Sequence, residues 1–269
     1  MNKLKNQLKN ILWKYWMLRG IHSIKHSGTS AINIKQAISE TIHHRMNPVE
    51  KYLINRIEKV RKQFANDPTP VTIIDFGAGD PDSRRSEEEM TQGAASTTTY
   101  GEICMGSKPA LWALLLFKLI RRMKPETAVE LGTCIGISAA YQSAALQLNG
   151  KGRLITIEGS EAISVLAKSN LESLNLNNVE IHCGTFKDIL PEVFAKTSAL
   201  DYVFIDGHHD EQATIAYFEL LLPHLSPCAL LVFDDISWSS GMRRAWEKIS
   251  KHPSVLFSVD LKELGICQM

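Results

Sequence analysis

From Ser107 onward, short apolar runs alternate with stretches whose apolar residues recur at helical spacing. The runs predict strands near 127–131, 153–158, 178–183, 200–206, 228–233, 255–260 and 264–268. The periodicity between them predicts helices near 136–149, 160–175, 186–195, 210–224 and 239–250. Such alternation implies right-handed crossovers, hence an α/β fold with a mostly parallel sheet and helices on both faces. Only a few residues join the last two runs, too few for a crossover, so the final strand is expected to run antiparallel. A strongly apolar helix leads into this region, with Leu111, Leu114, Leu115, Lys118, Leu119 and Arg122 at helical spacing.

The first part of the chain reads differently. Leu4, Leu8, Ile11, Leu12, Tyr15 and Trp16 fall on one helical face, with Lys3, Lys5, Lys9 and Lys14 elsewhere, which predicts a basic amphipathic helix. A weaker helix is expected over 30–44. A clearer one begins at Asn47-Pro48-Val49-Glu50, where a cap, a proline at the first helical position and a capping-box acid coincide. It ends at Asn66-Asp67-Pro68. The stretch Val71–Asp80, with Asp75, Gly77 and Gly79, has the look of a ligand-binding strand and turn, but PDSRRSEEE follows it in place of an apolar helix. Residues 75–106 therefore read as a long polar loop with a short helix at 86–92, placed to cover an active site. Within it, Arg84 and Arg85 are expected to pair with Glu87, Glu88 and Glu89; the alternative is that they hold an anionic substrate group. The chain divides into a helical extension with a cover loop (1–106) and a core domain (107–269).

Composition narrows the partners. With 269 residues and a net charge of +1, the chain has no basic track for nucleic acid. Its five cysteines are scattered and never form C-x-x-C, which points to reduced thiols in the cytoplasm. No run is long and apolar enough to span a membrane. Residues 1–39 hold seven basic residues and no acid. The first helix is expected to pack on the core or on a partner subunit, as in a homodimer; the alternative is peripheral membrane contact through residues 1–20.

The chemistry centres on AVELGTCIGISAAY, Ala128–Tyr141. A buried strand reaches Glu130, Gly132 and Gly136 bracket a tight turn, and a helix follows, which is a ligand site at the carboxyl end of a parallel strand. The next strand ends at Glu158, an acid suited to accept from two ribose hydroxyls. The glycine spacing is not the dinucleotide G-x-G-x-x-G, and no further glycine receives a pyrophosphate. A nucleoside with a small, cationic, phosphate-free tail fits, and S-adenosylmethionine is such a ligand.

ELGTCIG, TIEGS, CGTFKDILP, YVFIDGHH and LVFDDI occur in order, and the chain from about Ser107 to Met269 resembles a class I S-adenosylmethionine-dependent methyltransferase. Within that class it is similar to the small-molecule O-methyltransferases related to catechol O-methyltransferase. The resemblance implies a seven-stranded Rossmann-like sheet with its last strand antiparallel. It implies a cofactor site built from Glu130, Gly132, Thr133, Gly136, Glu158, Gly159, Gly184, Thr185, Phe186 and Asp206, under a lid that includes 100–108. Phe186 would stack on adenine or serve as core. In the resembling family an acid ends the fourth core strand and an Asp-Asn pair ends the fifth, holding magnesium. Here the corresponding residues are Asp206, Asp234 and Asp235, so Mg2+ or another divalent cation is expected, with an Asp-Asp pair as the departure. The catechol enzyme's lysine base falls at His209, with His208 beside it. Trp238 could wall the substrate pocket, whereas Trp246 is expected in the core.

The expected reaction is in-line methyl transfer to a small-molecule oxygen, assisted by metal, with His209 or His208 as base and Asp206 beside it. The alternatives are a metal-independent N- or sugar O-methyltransferase and a non-catalytic S-adenosylmethionine-binding module. A nucleic-acid methyltransferase is disfavoured because N-P-P-Y and D-P-P-Y are absent.

Overall fold

The computed structural model of the protein describes residues 2–79 and 85–269. Three helices come first, α1 (Asn2–Ser23), α2 (Thr29–Ile42) and α3 (Pro48–Phe64). The capping box of α3 is formed in both directions between Asn47 and Glu50. β1 (Pro70–Asp75), α4 (Glu87–Gln92) and β2 (Ala94–Thr99) follow, and β1 pairs antiparallel with β2 from Pro70↔Thr99 to Asp75↔Ala94. The stretch expected to be loop is therefore in part a hairpin. Its second strand is rich in threonine, whose branched Cβ suits a pleated ribbon even where nothing apolar is buried. α5 (Tyr100–Met105) and α6 (Ala110–Met123) lead into the main sheet.

That sheet comprises β3 (Thr127–Leu131), β4 (Arg153–Glu158), β5 (Val179–Cys183), β6 (Leu200–Ile205), β7 (Leu225–Phe233), β8 (Phe257–Asp260) and β9 (Gly265–Gln268). The crossover helices are α7 (Ile137–Asn149), α8 (Glu161–Ser173), α9 (Phe186–Lys196), α10 (Glu211–Leu221) and α11 (Ser240–Ile249). The strand order is β5-β4-β3-β6-β7-β9-β8, parallel except that β9 runs antiparallel to both of its neighbours. The chain moves outward from β3 in one direction and resumes at β6 in the other, so the crevice beyond the tips of β3 and β6 is the topological switch point, where such sheets bind ligands.

Alternate residues of each strand serve two cores. Ala128, Leu154 and Phe204 face a core that also takes in Met17, Ile34, Ile38 and Ile57, so the N-terminal helices and the sheet share one apolar interior. Val129, Ile157 and Val203 face the second, which includes Leu190, Phe218 and, as expected, Trp246.

The packing face of α1 differs from the one its pattern suggested. Trp13 and Met17 turn inward, and Trp13 donates its indole N–H to Glu263 at 3.0 Å and meets the Trp112 ring edge-on. Gly20 lies so close to Leu261 that an added Cβ would come within 2.3 Å of it. Leu8, Ile11, Leu12, Tyr15 and Leu18 are exposed as a result. Among the described residues no helix is long and apolar enough to cross a membrane.

Candidate active site

The tips of β3, β4, β5 and β6 meet at a crevice of about 250 Å3. The β3 tip turns at Gly132, with φ +100°. A Cβ there would lie 2.0 Å from the Asp206 carbonyl oxygen, so the β3 and β6 tips approach this closely only with glycine. Four non-glycine residues around the crevice, Cys134, His208, His209 and Asp235, also take positive φ. Side-chain-bearing residues held in that region cost energy that the surrounding structure must supply, and they concentrate at functional sites.

Glu158 ends β4 with both carboxylate oxygens fixed by backbone. Cys134 N–H donates to Oε2 at 2.9 Å and Ser160 N–H to Oε1 at 3.0 Å. Burial raises its pKa from the usual carboxylate range, and these backbone donors pull the other way. The carboxylate lines the crevice with Gly132, Gly159, Gly184, Thr185 and Phe186. Its remaining acceptor capacity suits a vicinal diol. Phe186 is buried against Gly207, edge-on to His208 and Tyr217, so it is at once a core residue and part of the crevice wall.

Three expected cofactor residues act from behind the crevice. Glu130 is fully buried and accepts from Gln142 Nε2 and Thr156 Oγ1, each at 2.6 Å. Thr156 Oγ1 also lies 2.7 Å from Thr133 Oγ1. Gly136 caps α7 with φ +84° and donates its N–H to the Thr133 carbonyl. The carboxyl of Glu130 thus braces the glycine turn from below. Burial, the largest cause, pushes its pKa up to about 8 against the three hydrogen-bonding side chains Thr156, Ser138 and Gln142.

The β1–β2 hairpin crosses over this crevice. Phe76 packs on Gly159, where an added Cβ would be 2.5 Å from the ring, and Ala78 N–H donates to the His208 carbonyl at 2.8 Å. Arg85 ties the strap down, bonding Asp75 Oδ2 at 2.8 Å and the carbonyls of Asp75 and Gly77. Arg85, expected to pair with the α4 acids, makes this anchor and also helps to lower the pKa of Glu89; Arg84 and the side chain of Glu87 lie outside the described residues. Phe76, with Thr185 and His208, also borders a neighbouring cavity of about 690 Å3. Asp75, Phe76 and Gly77 are crevice residues that the sequence pattern assigned only to a cover loop. Their acid-then-glycine spelling was the available signal.

On the β6–β7 side, Asp206 follows β6, and Asp234 and Asp235 follow β7 in the next strand position. Asp234 N–H bonds the Ile205 carbonyl, which holds the two tips together. His209 lies between carboxylates, Nε2 3.7 Å from Asp206 Oδ1 and Nδ1 3.8 Å from Asp235 Oδ2. His208 instead sits 3.0 Å from the Tyr217 hydroxyl, and burial lowers its pKa. Trp238 is half exposed and does not line the crevice.

Two of the three acids expected to hold a metal, Asp206 and Asp234, meet instead at an amine. Lys108 Nζ bonds Asp234 Oδ2 and lies 3.7 Å from Asp206 Oδ2. Among the described residues no group of three His, Cys, Asp or Glu side chains is disposed to hold a metal ion. In this arrangement the carboxylates do not fit a resident dication, because an ammonium already fills the space between two of them. Nothing in the sequence pattern singled out Lys108 beyond its place at the end of the expected lid.

Comparison with known proteins agrees with this geometry. A protein-family model described as a methyltransferase domain matches residues 129–236, from the strand before Gly132 to the residue after Asp235. Together with the solved structures below, that match supports a class I S-adenosylmethionine-dependent methyltransferase. An O-methyltransferase from Bacillus cereus, solved in complex with SAH, superposes with a TM-score of 0.53 at 26% identity over 61% of this chain and 83% of that one. The O-methyltransferase TomG from Streptomyces achromogenes, involved in tomaymycin synthesis and solved with SAM, matches at TM-score 0.53 and 26% identity, covering 61% and 81%. The SAH-bound methyltransferase PaMTH1 from Podospora anserina matches over 91% of this chain and 97% of its own at TM-score 0.58; at 13% identity it speaks to the fold alone. No curated protein sequence matches.

Proposed function

We propose that the enzyme transfers the methyl group of S-adenosylmethionine to an oxygen of a small-molecule acceptor, with His209 as general base. The observation that carries this reading is the placement of His209 at the crevice between Asp206 and Asp235. When bound, the cofactor supplies an electrophilic methyl on a sulfonium. Glu158 would hold its ribose hydroxyls, the turn at Gly132 its amino-acid end, and Thr185 and Phe186 its base. The surplus negative charge of the three aspartates suits a cationic centre nearby.

Imidazole is suited to take a proton from a hydroxyl near neutral pH. A carboxylate on either side holds the ring and stabilises the imidazolium that forms, as the buried acid of a catalytic triad does. His208 is the poorer base, being engaged with Tyr217 and disfavoured as a cation by burial. Oxygen as the acceptor atom is supported by the two O-methyltransferases at 26% identity. The reading places the enzyme in the cytoplasm, supported by five free cysteines. No step is assigned to a divalent cation.

Calorimetry with S-adenosylhomocysteine tests the cofactor site, and methyl release across a panel of phenols, catechols and sugars tests the acceptor. His209→Ala should lower kcat by about 10²–10⁴-fold and leave S-adenosylhomocysteine affinity nearly unchanged. A variant with undiminished turnover would remove His209 from the mechanism.

A further inference from the structure

Lys108 stands at the start of α6, where an apolar helix begins and a lysine has no packing reason to turn inward. It is nevertheless 9% exposed. Its backbone is pinned from a separate element, because Arg61 of α3 donates to the Lys108 carbonyl at 2.8 Å, and Arg61 is itself held by Glu58. Its ammonium reaches Asp234, which is 2% exposed and whose other oxygen, Oδ1, has no hydrogen-bond partner among the described residues. Lys108 is the cation that compensates this buried carboxylate, and Asp206 is the second acid it faces.

We propose that Lys108 is a built-in counter-cation that takes the place of a divalent metal between Asp206 and Asp234, so that this methyltransferase works without one. A single fixed charge relieves the repulsion between the acids while leaving them net negative towards a sulfonium. A dication could enter only by displacing the ammonium or sharing its ligands, and both are opposed by charge. Lys108 is on this view a positioning residue: it holds Asp206 and Asp234 in place and does not touch the acceptor. The inference rests on the methyltransferase reading, and two separate measurements tell them apart.

S-adenosylhomocysteine calorimetry reports on the cofactor site, and paramagnetic resonance of added Mn2+ reports on metal binding, both on the full chain. Wild type should bind S-adenosylhomocysteine equally in chelator and in magnesium, and should leave millimolar Mn2+ free. Lys108→Met should gain a Mn2+ site at least about ten-fold tighter than any in wild type, and Lys108→Arg should behave as wild type. Stoichiometric Mn2+ uptake by wild type that Asp234→Asn abolishes would overturn the proposal while the cofactor reading stands. If Lys108→Met does not fold, as far-UV dichroism would show, the wild-type titration decides alone.

The outward face of α1 is a separate feature, apart from the crevice. Leu8, Ile11, Leu12, Tyr15 and Leu18 form a continuous stripe, with Ile11 65% exposed, while Trp13, Met17 and Gly20 anchor the opposite face. The helix bears Lys9, Lys14 and Arg19 and no acid. A second copy would bring like charges together, whereas an anionic lipid surface complements both the stripe and the charge. We infer that α1 docks the enzyme on anionic membrane. The full chain should float with phosphatidylglycerol-containing vesicles and not with phosphatidylcholine alone, and about 0.5 M salt should release it. Ile11→Glu should abolish flotation with S-adenosylhomocysteine binding intact. Failure to bind anionic vesicles, or a dimer in light scattering that Ile11→Glu dissociates, would refute it.

Discussion

Glu130 shows how far one carboxyl can be displaced from the role its motif suggests. It lies next to the last residue of β3, beside the turn at Gly132, yet its oxygens answer to Gln142 and Thr156 inside the protein. Burial raises its pKa to about 8, so the folded state favours the protonated form. A raised acid contributes stability that is complete below its unfolded value of 4.5 and is lost as pH rises through about 8. In Glu130→Gln the amide keeps the shape and both hydrogen-bonding directions but does not titrate. Thermal unfolding from pH 5 to 8 should therefore show a decline in wild type that is largely removed in the variant, by at most about 1.4 kcal/mol per pH unit. Parallel curves would show that the carboxyl is not held protonated.

At the scale of elements, the strap of β1 and β2 is tied down from within its own connection. Arg85 supplies an ion pair and two carbonyl contacts to it. Arg85→Ala should speed amide exchange over 76–79 by about ten-fold, the value of one or two such bonds, and leave β3 and β4 amides unchanged in exchange mass spectrometry. Equal protection in both proteins would mean that Phe76 and the Ala78–His208 bond suffice to hold the strap. This element also marks where the sequence was hard to read. The strands and helices after Ser107 were legible because burial on both faces writes apolar runs and helical periodicity into the chain. Glu158, Asp206 and His209 were legible because they sit where strands end. β2 was not, since Ala94–Thr99 buries little and carries no apolar alternation. The inward-turned Lys108 meets partners distant in sequence, Arg61 at its carbonyl and Asp234 at its ammonium, and no local pattern records that. The packed face of α1 was misjudged for the same reason, because Trp13 and Met17 were chosen by their tertiary partners over a larger apolar stripe.

Across the whole molecule, α1–α3 are joined to the sheet by apolar contact and by charge. Lys118 of α6 is buried, yet its ammonium meets Glu50 of α3 at 2.8 Å and Glu40 of α2 at 3.6 Å. Despite the burial that opposes it, Glu50 is held below the ordinary carboxylate range by its bonds to Lys118, Asn47 and Arg121. Any register of these helices that parted Lys118 from Glu50 would leave a buried charge uncompensated, which disfavours sliding. The position of β9 has an effect in time as well as in space. β8 touches the sheet only through β9, which is made after it. During synthesis the 257–260 segment must wait as an unzipped ribbon until 265–268 slots into the gap, so the far edge closes in a single late event, and until then β7 offers the nascent chain an open flank.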